Sequence, residues 1–282
     1  MKNNFFDVFY DFAFSEDIGS GDHTSLACIK NDQQGKARLL VKDTGIIAGV
    51  EAARDIFQKA DPSLRMDIFI DDRKNVSKGD IVFIVQGRVQ SILMTERLVL
   101  NIMQRMSGIA TMTNQYVRKL EGLKTKVLDT RKTTPCFRFY EKEAVRIGGG
   151  SNHRFGLYDM ILIKDNHVDF SGGIANAINN TRKYLKENNL NIKVEIEARN
   201  FKEIEEILSV GGIDIIMLDN FSVEDTKKAV KIINNRYEVE SSGGISLDTI
   251  RSYAECGVDF ISVGALTHQY RSLDMSLKAV KI

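Results

Sequence analysis

The sequence carries no excess of charge of either sign, no long apolar run and no pattern of paired cysteines. Thirty-nine Lys and Arg stand against thirty-eight Asp and Glu, a formal net charge of +1 over 282 residues, which argues against the broad basic face of a nucleic-acid binder. The three cysteines, Cys28, Cys136 and Cys256, are far apart, odd in number and without metal-site spacing. They form no disulfide framework and suit a reducing compartment, so the cytoplasm is expected. No stretch approaches the ~18 consecutive apolar residues of a membrane span. At the N-terminus, Asp7 and Asp11 interrupt the hydrophobic region that a signal peptide needs, and the stretch reads instead as an amphipathic docking helix. What is left, 43% hydrophobic and 27% charged residues, is ordinary for a soluble globular chain of one large or two modest domains.

Against that neutral background one segment differs. Between Asp129 and His167 lie Arg131, Lys132, Arg138, Lys142, Arg146, Arg154 and Lys164, together with His153, His167 and the triple glycine Gly148, Gly149, Gly150. A local cationic excess in a near-neutral chain points to a focused site for a small acidic ligand.

Taken in order, residues 35 to 90 alternate extended runs with turns, KARLLVKD, RMDIFID and DIVFIVQGRV, around one helix-like run, VEAARDIFQKA. This predicts a small mixed sheet with a helix against it. From Ser91 to Leu120 the apolar residues Leu93, Leu98, Ile102, Met106 and Ile109 recur at helical spacing. Ser107 and Gly108 are expected to divide this stretch into two helices, since glycine costs about 1 kcal/mol inside a helix. Beyond Lys124 six apolar runs, TKVLD, DMILI, IKVEIE, DIIML, YEVES and VDFISV, alternate with helical patterns, as in βα units on a parallel sheet. If closed, they make a β/α barrel of fewer than eight strands, with its site at the strands' carboxyl ends. Polar groups collect there: Arg131 and Lys132 after the first run, Lys164 after the second, Glu195 and Glu197 ending the third, Asp219 after the fourth, Ser242 after the fifth and Gly264 after the sixth.

The chemistry these groups can carry is specific. Arginine's planar fork makes paired bonds to carboxylates and phosphates, so Arg131 and Arg154 with Lys132 and Lys164 can hold a dicarboxylate. Arg154 favours a neutral, hydrogen-bonding His153 beside it; His167 reads as satisfying loop backbone. Glu195 and Glu197 are two apart on a strand, so they share a face ~6.6 Å apart. Facing inward with Asp219 they form a hard oxygen cluster suited to magnesium and ribose hydroxyls; with the opposite alternation both face the helices. Ser242, Gly243 and Gly244 form a loop whose backbone N–H groups can cradle a phosphate, and Gly264 to His268 form a second. Phosphate loops after the last two strands recur in barrels.

These blocks together, EDIGSGDHTS, ERLVLN, SGIAT, DTRKTTP, GGGSNHRFGLYDMILIKDNH, VEIE, IMLDN, ESSGGIS and SVGALTH, resemble the quinolinate phosphoribosyltransferase family nearly from end to end. The resemblance implies an N-terminal α/β sandwich domain over residues 1–112, to which 270–282 return, and an incomplete, about six-stranded β/α barrel over 113–269. It implies a homodimer with shared sites, with quinolinate and phosphoribosyl pyrophosphate as substrates, Mg2+ as cofactor, and neither nucleic acid nor membrane as partner. Carried over, the quinolinate pocket falls on Arg131, His153, Arg154 and Lys164, with Lys132 close by and Arg97 reaching in from the other subunit. Glu197 and Asp219 match the acids that hold ribose and magnesium; Ser242, Gly243, Gly244, Gly264 and His268 match the phosphate loops. The implied catalytic groups are Lys132, Lys164, Glu197 and Asp219. The chain departs from the family pattern where Gly-Leu-Arg usually follows TTP and this sequence has Cys136, Phe137 and Arg138, and at His23, where an aliphatic residue is usual.

Three other readings compete: a molybdenum-transport-associated pyrophosphorylase-like protein of the same fold, a Schiff-base aldolase with Lys164 as nucleophile, and a non-catalytic anion-binding module.

Overall fold

The computed structural model describes residues 2–280. In chain order the elements are α1 (Lys2–Ile18), α2 (His23–Cys28), β1 (Gln34–Val41), β2 (Gly45–Ile46), α3 (Val50–Ala60), β3 (Arg65–Ile68), β4 (Asn75–Val76), β5 (Ile81–Arg88), α4 (Val89–Lys119), β6 (Lys126–Leu128), α5 (Arg138–Ile147) and β7 (Ile161–Ile163). Then follow α6 (Asp165–Ser171), α7 (Ile174–Glu187), β8 (Val194–Ala198), α8 (Phe201–Val210), β9 (Ile215–Asp219), α9 (Val223–Ile233), β10 (Glu238–Ser242), α10 (Ile250–Ala254), β11 (Phe260–Ser262), α11 (Ala265–His268) and β12 (Met275–Ala279). The chain divides into two compact units. One comprises Met1–Asn114, Thr134–Gly149 and Gln269–Ile282; the other comprises Gln115–Thr133 and Gly150–His268.

In the first unit an antiparallel sheet runs in the order β12-β1-β5-β3. Alternation along β1 buries Ala37, Leu39 and Val41, and Leu39 registers with Leu277 of β12. Helix α3 buries Val50, Ala53, Ile56 and Phe57 at helical spacing, and Phe57 meets Phe83 of β5 edge to face, with centroids 6.0 Å apart. A helix packs against the sheet as the sequence predicts, but the sheet is wholly antiparallel and not mixed. Helix α1 joins α5 through aromatic contacts, Phe6 against Phe139 at 4.7 Å and a hydrogen bond from Tyr140 to the Tyr10 hydroxyl of 2.7 Å.

One expectation fails here. The stretch expected to break at Ser107 and Gly108 is a single 31-residue helix, α4. Ser107 Oγ accepts from the Ala48 N–H at 2.9 Å and donates to the Ala48 carbonyl at 3.1 Å. Gly108 lies so near the Arg271 carbonyl that a Cβ there would collide with it. Both small residues serve close approach of other segments, which offsets glycine's low helix propensity.

The second unit contains a parallel sheet in the order β6-β11-β10-β9-β8-β7. All six predicted strands are present, each an apolar run buried between helices. The edge strands β6 and β7 are not paired with each other; residues 151–154 lie between them. Ser151 makes a parallel bridge to Leu128, and the Arg154 guanidinium donates to the Met160 carbonyl just ahead of β7 at 3.3 Å. The barrel is therefore incomplete, and its seam is filled by the Asn-His-Arg segment. Short caps keep the strand-end loops tight: Asn200 accepts from the Glu203 N–H on α8 and Ser222 from the Asp225 N–H on α9, both at 3.1 Å.

Candidate active site

Each strand of the parallel sheet ends in a polar group, and the backbone fixes where that group points. Lys164, at the N-terminus of α6, is held by its own loop: the His167 ring Nδ1 accepts from the Lys164 N–H at 2.9 Å, so His167 satisfies loop backbone as expected. The Lys164 ammonium reaches Glu197 of β8 at 3.0 Å, and the other Glu197 oxygen accepts from the Asp165 N–H at 3.3 Å. On β9 the Asp219 carboxylate accepts from the Asn220 amide at 2.9 Å. Asn220 itself adopts a left-handed φ of 57° and donates its backbone N–H to the Ser242 carbonyl at 2.8 Å.

The glycine loops follow on the next strands. Gly243 has φ of 100° and lies against the Asn220 side chain with no room for a Cβ, whereas Gly244, at φ of 62°, faces open space. At Gly264 a Cβ would come within 3.0 Å of His268 Nε2 and 3.1 Å of the Lys132 Cδ. Thr267 Oγ1 also donates to the Lys132 carbonyl at 2.7 Å. Lys132 thus runs along the second glycine loop.

Beneath this rim is a buried polar cluster. Asp129, wholly buried, accepts from the His153 N–H at 2.9 Å and from the Asn152 amide. The His153 ring accepts at Nδ1 from the Arg154 N–H at 2.7 Å. Its Nε2 lies 2.9 Å from a Glu195 oxygen and 3.6 Å from Glu240 of β10. Burial, and then repulsion from Glu197, pushes the Glu195 carboxyl well above the usual carboxylate range; burial, and then Glu195, does the same to Glu240. Arg154 is pulled below its ordinary value by burial and by the neighbouring Arg131 charge. Glu240 is held by Glu195 and Ser262, whereas the Arg131 Nε is buried without a hydrogen-bond partner.

By distance alone His153, Glu195 and Glu240 could surround a cation, since each offers a ligand atom within 4.8 Å of the others. The tautomer argues otherwise. A ring whose Nδ1 accepts a backbone N–H carries its proton on Nε2, the very atom that would have to coordinate. The cluster is a hydrogen-bonded support in which Nε2–H donates to carboxyl oxygen.

Of the residues singled out in the sequence, Arg131, Lys132, Lys164, Glu197, Asp219, Ser242, Gly243, Gly244 and Gly264 fall in the second unit at or just after strand ends. His153 and Arg154, in the segment ahead of β7, and His268, at the end of α11, fall in the same unit away from them. Arg97 is exposed on α4 in the first unit. The open question of strand alternation resolves inward: Glu195 meets His153 and is fully buried. Sequence reasoning missed Asp129, Asn220 and Glu240. One carries a readable signal, because Glu240 sits two residues before Ser242 on the same strand and so shares a face with it.

A family model described as quinolinate phosphoribosyl transferase, C-terminal domain, matches residues 109–278, and one described as the N-terminal domain matches residues 22–107. A Nicotiana tabacum relative named quinolinate phosphoribosyltransferase (decarboxylating) 1b is 44% identical over 281 residues, covering 94% of this chain and 80% of its own. The Arabidopsis thaliana protein named nicotinate-nucleotide pyrophosphorylase (carboxylating), chloroplastic, is 43% identical over 281 residues, with the same coverage of 94% and 80%. Among solved structures, NadC from Streptococcus pyogenes superposes with a TM-score of 0.92 at 38% identity, covering 98% of this chain and 97% of that one.

Proposed function

Because the chain belongs to the quinolinate phosphoribosyltransferase family, we propose that its strand-end groups are the two halves of one transfer site. The enzyme is a pentosyltransferase of NAD biosynthesis. It moves the phosphoribosyl group of phosphoribosyl pyrophosphate to the nitrogen of quinolinate, releasing pyrophosphate and carbon dioxide and leaving nicotinate mononucleotide. The names carried by the relatives disfavour the molybdenum-associated alternative, and the family leaves no place for a Schiff base on Lys164.

Arg131, Arg154 and Lys164 form the dicarboxylate half. The observation that carries this assignment is the buried Arg131 Nε with no acceptor, since a donor left unpaired inside a protein costs about 1–3 kcal/mol and calls for a ligand oxygen. Lys132, the Ser242–Gly244 loop, Gly264 and His268 form the phosphate half, with Lys132 lying along Gly264. In the reaction the pyridine nitrogen attacks the anomeric carbon as pyrophosphate leaves. Holding the nitrogen in line supplies much of the rate, and Lys132 offsets charge on the departing group. Once the nitrogen is quaternary, the adjacent carboxylate leaves as carbon dioxide, because the ring cation stabilises the electron pair left at the carbon, which then takes a proton.

Glu197 and Asp219 would hold the magnesium ion. Their fit rests on the donor set: two carboxylates at the ends of neighbouring strands β8 and β9, part-exposed at the rim, suit a hard cation bound by one or two carboxylates plus substrate oxygens. When bound, the ion neutralises charge on the leaving pyrophosphate. Arg97 completes the dicarboxylate half from the second subunit of a homodimer. Among the described residues no helix is long and apolar enough to cross a membrane, and three free cysteines fit a reducing compartment such as the cytoplasm. The test is incubation with quinolinate, phosphoribosyl pyrophosphate and Mg2+, following pyrophosphate and nicotinate mononucleotide. Both should appear in step; quinolinate binding without turnover would support the anion-binding module instead.

A further inference from the structure

Asn220 has a left-handed backbone where glycine would be the easier residue. Its φ of 57° is free of strain for glycine and costs any residue with a Cβ, asparagine included. Asn189, Asn234 and Asn235 share that conformation, but they follow helices α7 and α9, where such a turn is the ordinary way to end a helix. Asn220 instead follows strand β9, directly after Asp219. A side chain kept at such a position points to work for that side chain.

The work is visible on both sides. The Asn220 amide donates to an Asp219 oxygen at 2.9 Å, which fixes the rotation of a carboxylate at the strand end. Its backbone N–H donates to the Ser242 carbonyl at 2.8 Å, one step beyond the last registered pair of β9 and β10, Asp219 with Ser242. The Asn220 side chain also fills the space that a Cβ on Gly243 would need, so it abuts the start of the first glycine loop. The turn itself does not depend on the amide. Phe221 is buried edge to face against Phe201, with centroids 5.6 Å apart. Its carbonyl accepts from the Tyr253 hydroxyl at 3.0 Å, and Ser222 caps α9.

We propose that Asn220 is a positioning residue for the sugar-phosphate half, acting through the Asp219 carboxylate that it orients and through the Gly243 backbone that it abuts. This rests on reading Asp219 as a magnesium ligand. A hydrogen bond to a ligating carboxylate aligns it before the ion arrives, and losing such a partner weakens metal binding by about 10- to 100-fold.

The test uses Mn2+ in place of Mg2+, with phosphoribosyl pyrophosphate present and quinolinate absent, so that no turnover enters. Water-proton relaxation reads the slowly tumbling, protein-bound ion. Asn220→Gly keeps the left-handed backbone and the N–H bond to Ser242 and removes only the side chain. It should weaken Mn2+ binding by about tenfold or more, with Tm near wild type. Asp219→Asn should weaken it too. The double variant should lose less than the product of the two single losses, because the amide acts through that carboxylate. In steady-state kinetics Asn220→Gly should raise KM for phosphoribosyl pyrophosphate severalfold, with KM for quinolinate within about twofold of wild type. Wild-type Mn2+ affinity in Asn220→Gly beside a defect in Asp219→Asn, or two losses that simply multiply, would overturn the proposal and leave the cation assignment standing. A fall in Tm with both KM values rising together would make Asn220 structural and overturn it as well. Wild-type affinity in Asp219→Asn would overturn the cation assignment, and this proposal with it.

Discussion

Lys164 Nζ and a Glu197 oxygen stand 3.0 Å apart across the ends of neighbouring strands β7 and β8, and so join the dicarboxylate half of the site to the sugar half. Lys164 is exposed at this rim, so the pair contributes little to folding. Its worth is in holding charge where substrate arrives. Lys164→Met should lower kcat/KM for quinolinate by roughly ten- to a hundredfold, the equivalent of one charged hydrogen bond of about 1.5–3 kcal/mol. The melting temperature should stay close to that of wild type. Steady-state kinetics with thermal unfolding decides this; a large fall in Tm would make the residue structural.

Gly264 leaves room for the Lys132 and His268 side chains, and an added methyl would press on both. Its φ is not left-handed, so Gly264→Ala adds crowding without backbone strain. The expected outcome is a raised KM for phosphoribosyl pyrophosphate, severalfold or more, with KM for quinolinate near wild type. Gly243→Ala should behave worse. At φ of 100° it adds strain of about 1–3 kcal/mol, visible as loss of stability in urea unfolding.

The parts of this molecule that could be read from sequence are those whose cause is local. Parallel strands buried on both faces are apolar runs that stop at polar groups, which is why β6 to β11 and the residues after them were legible. The continuity of helix α4 is not legible in the same way, because the reason for Gly108 lies at Arg271 and the reason for Ser107 lies at Ala48, partners that local periodicity cannot reveal. The cationic stretch also looked like a single island. Arg138, Lys142 and Arg146 belong to α5 in the first unit, where Arg146 pairs with Glu143, so only the flanking cations serve the barrel. The buried acids were the hardest to see. Glu195 and Glu240 oppose the rule that carboxyls stay outside, and what makes them tolerable is that burial keeps them protonated and that Glu195 meets His153, forty-two residues away.

Those acids also set a pH dependence. Burial raises both carboxyls from the unperturbed 4.5 to about 8. The folded state therefore keeps protons that the unfolded chain has released. Their contribution to stability is complete below the unfolded value and is lost as pH rises from about 4.5 through about 8, at up to about 1.4 kcal/mol per pH unit for each group. Glu240→Gln is uncharged at every pH and removes one titration. Its stability relative to wild type, from urea unfolding at a series of pH values, should increase towards alkaline pH; a constant difference would show that Glu240 does not titrate in this window.

Cys136 adopts a left-handed backbone with φ of 61° at the position where the family usually has glycine. An L-residue there bears a cost of about 1–2 kcal/mol that glycine does not. The thiol is exposed, so little packing offsets it. Cys136→Gly should stabilise the protein by up to about 1 kcal/mol, after the greater freedom of glycine in the unfolded chain is deducted. Chemical denaturation measures this, and a destabilised variant would show that the thiol side chain contributes more than its exposure suggests.

Arg97 offers a test of assembly. It is exposed on α4, and the proposal has it serving the partner's site in a homodimer. Arg97→Ala and Arg131→Ala homodimers should each lose most activity, because each removes a charge-assisted bond to the dicarboxylate from both sites. When the two variants are unfolded together and refolded as mixed dimers, one site receives both defects. The other receives Arg97 from one chain and Arg131 from the other, and is intact. Activity should return to about a quarter of wild type at equal mixing, since about half of the dimers are mixed and each carries one intact site. Mixed dimers verified by two affinity tags that remain inactive would show that Arg97 does not act across the subunits.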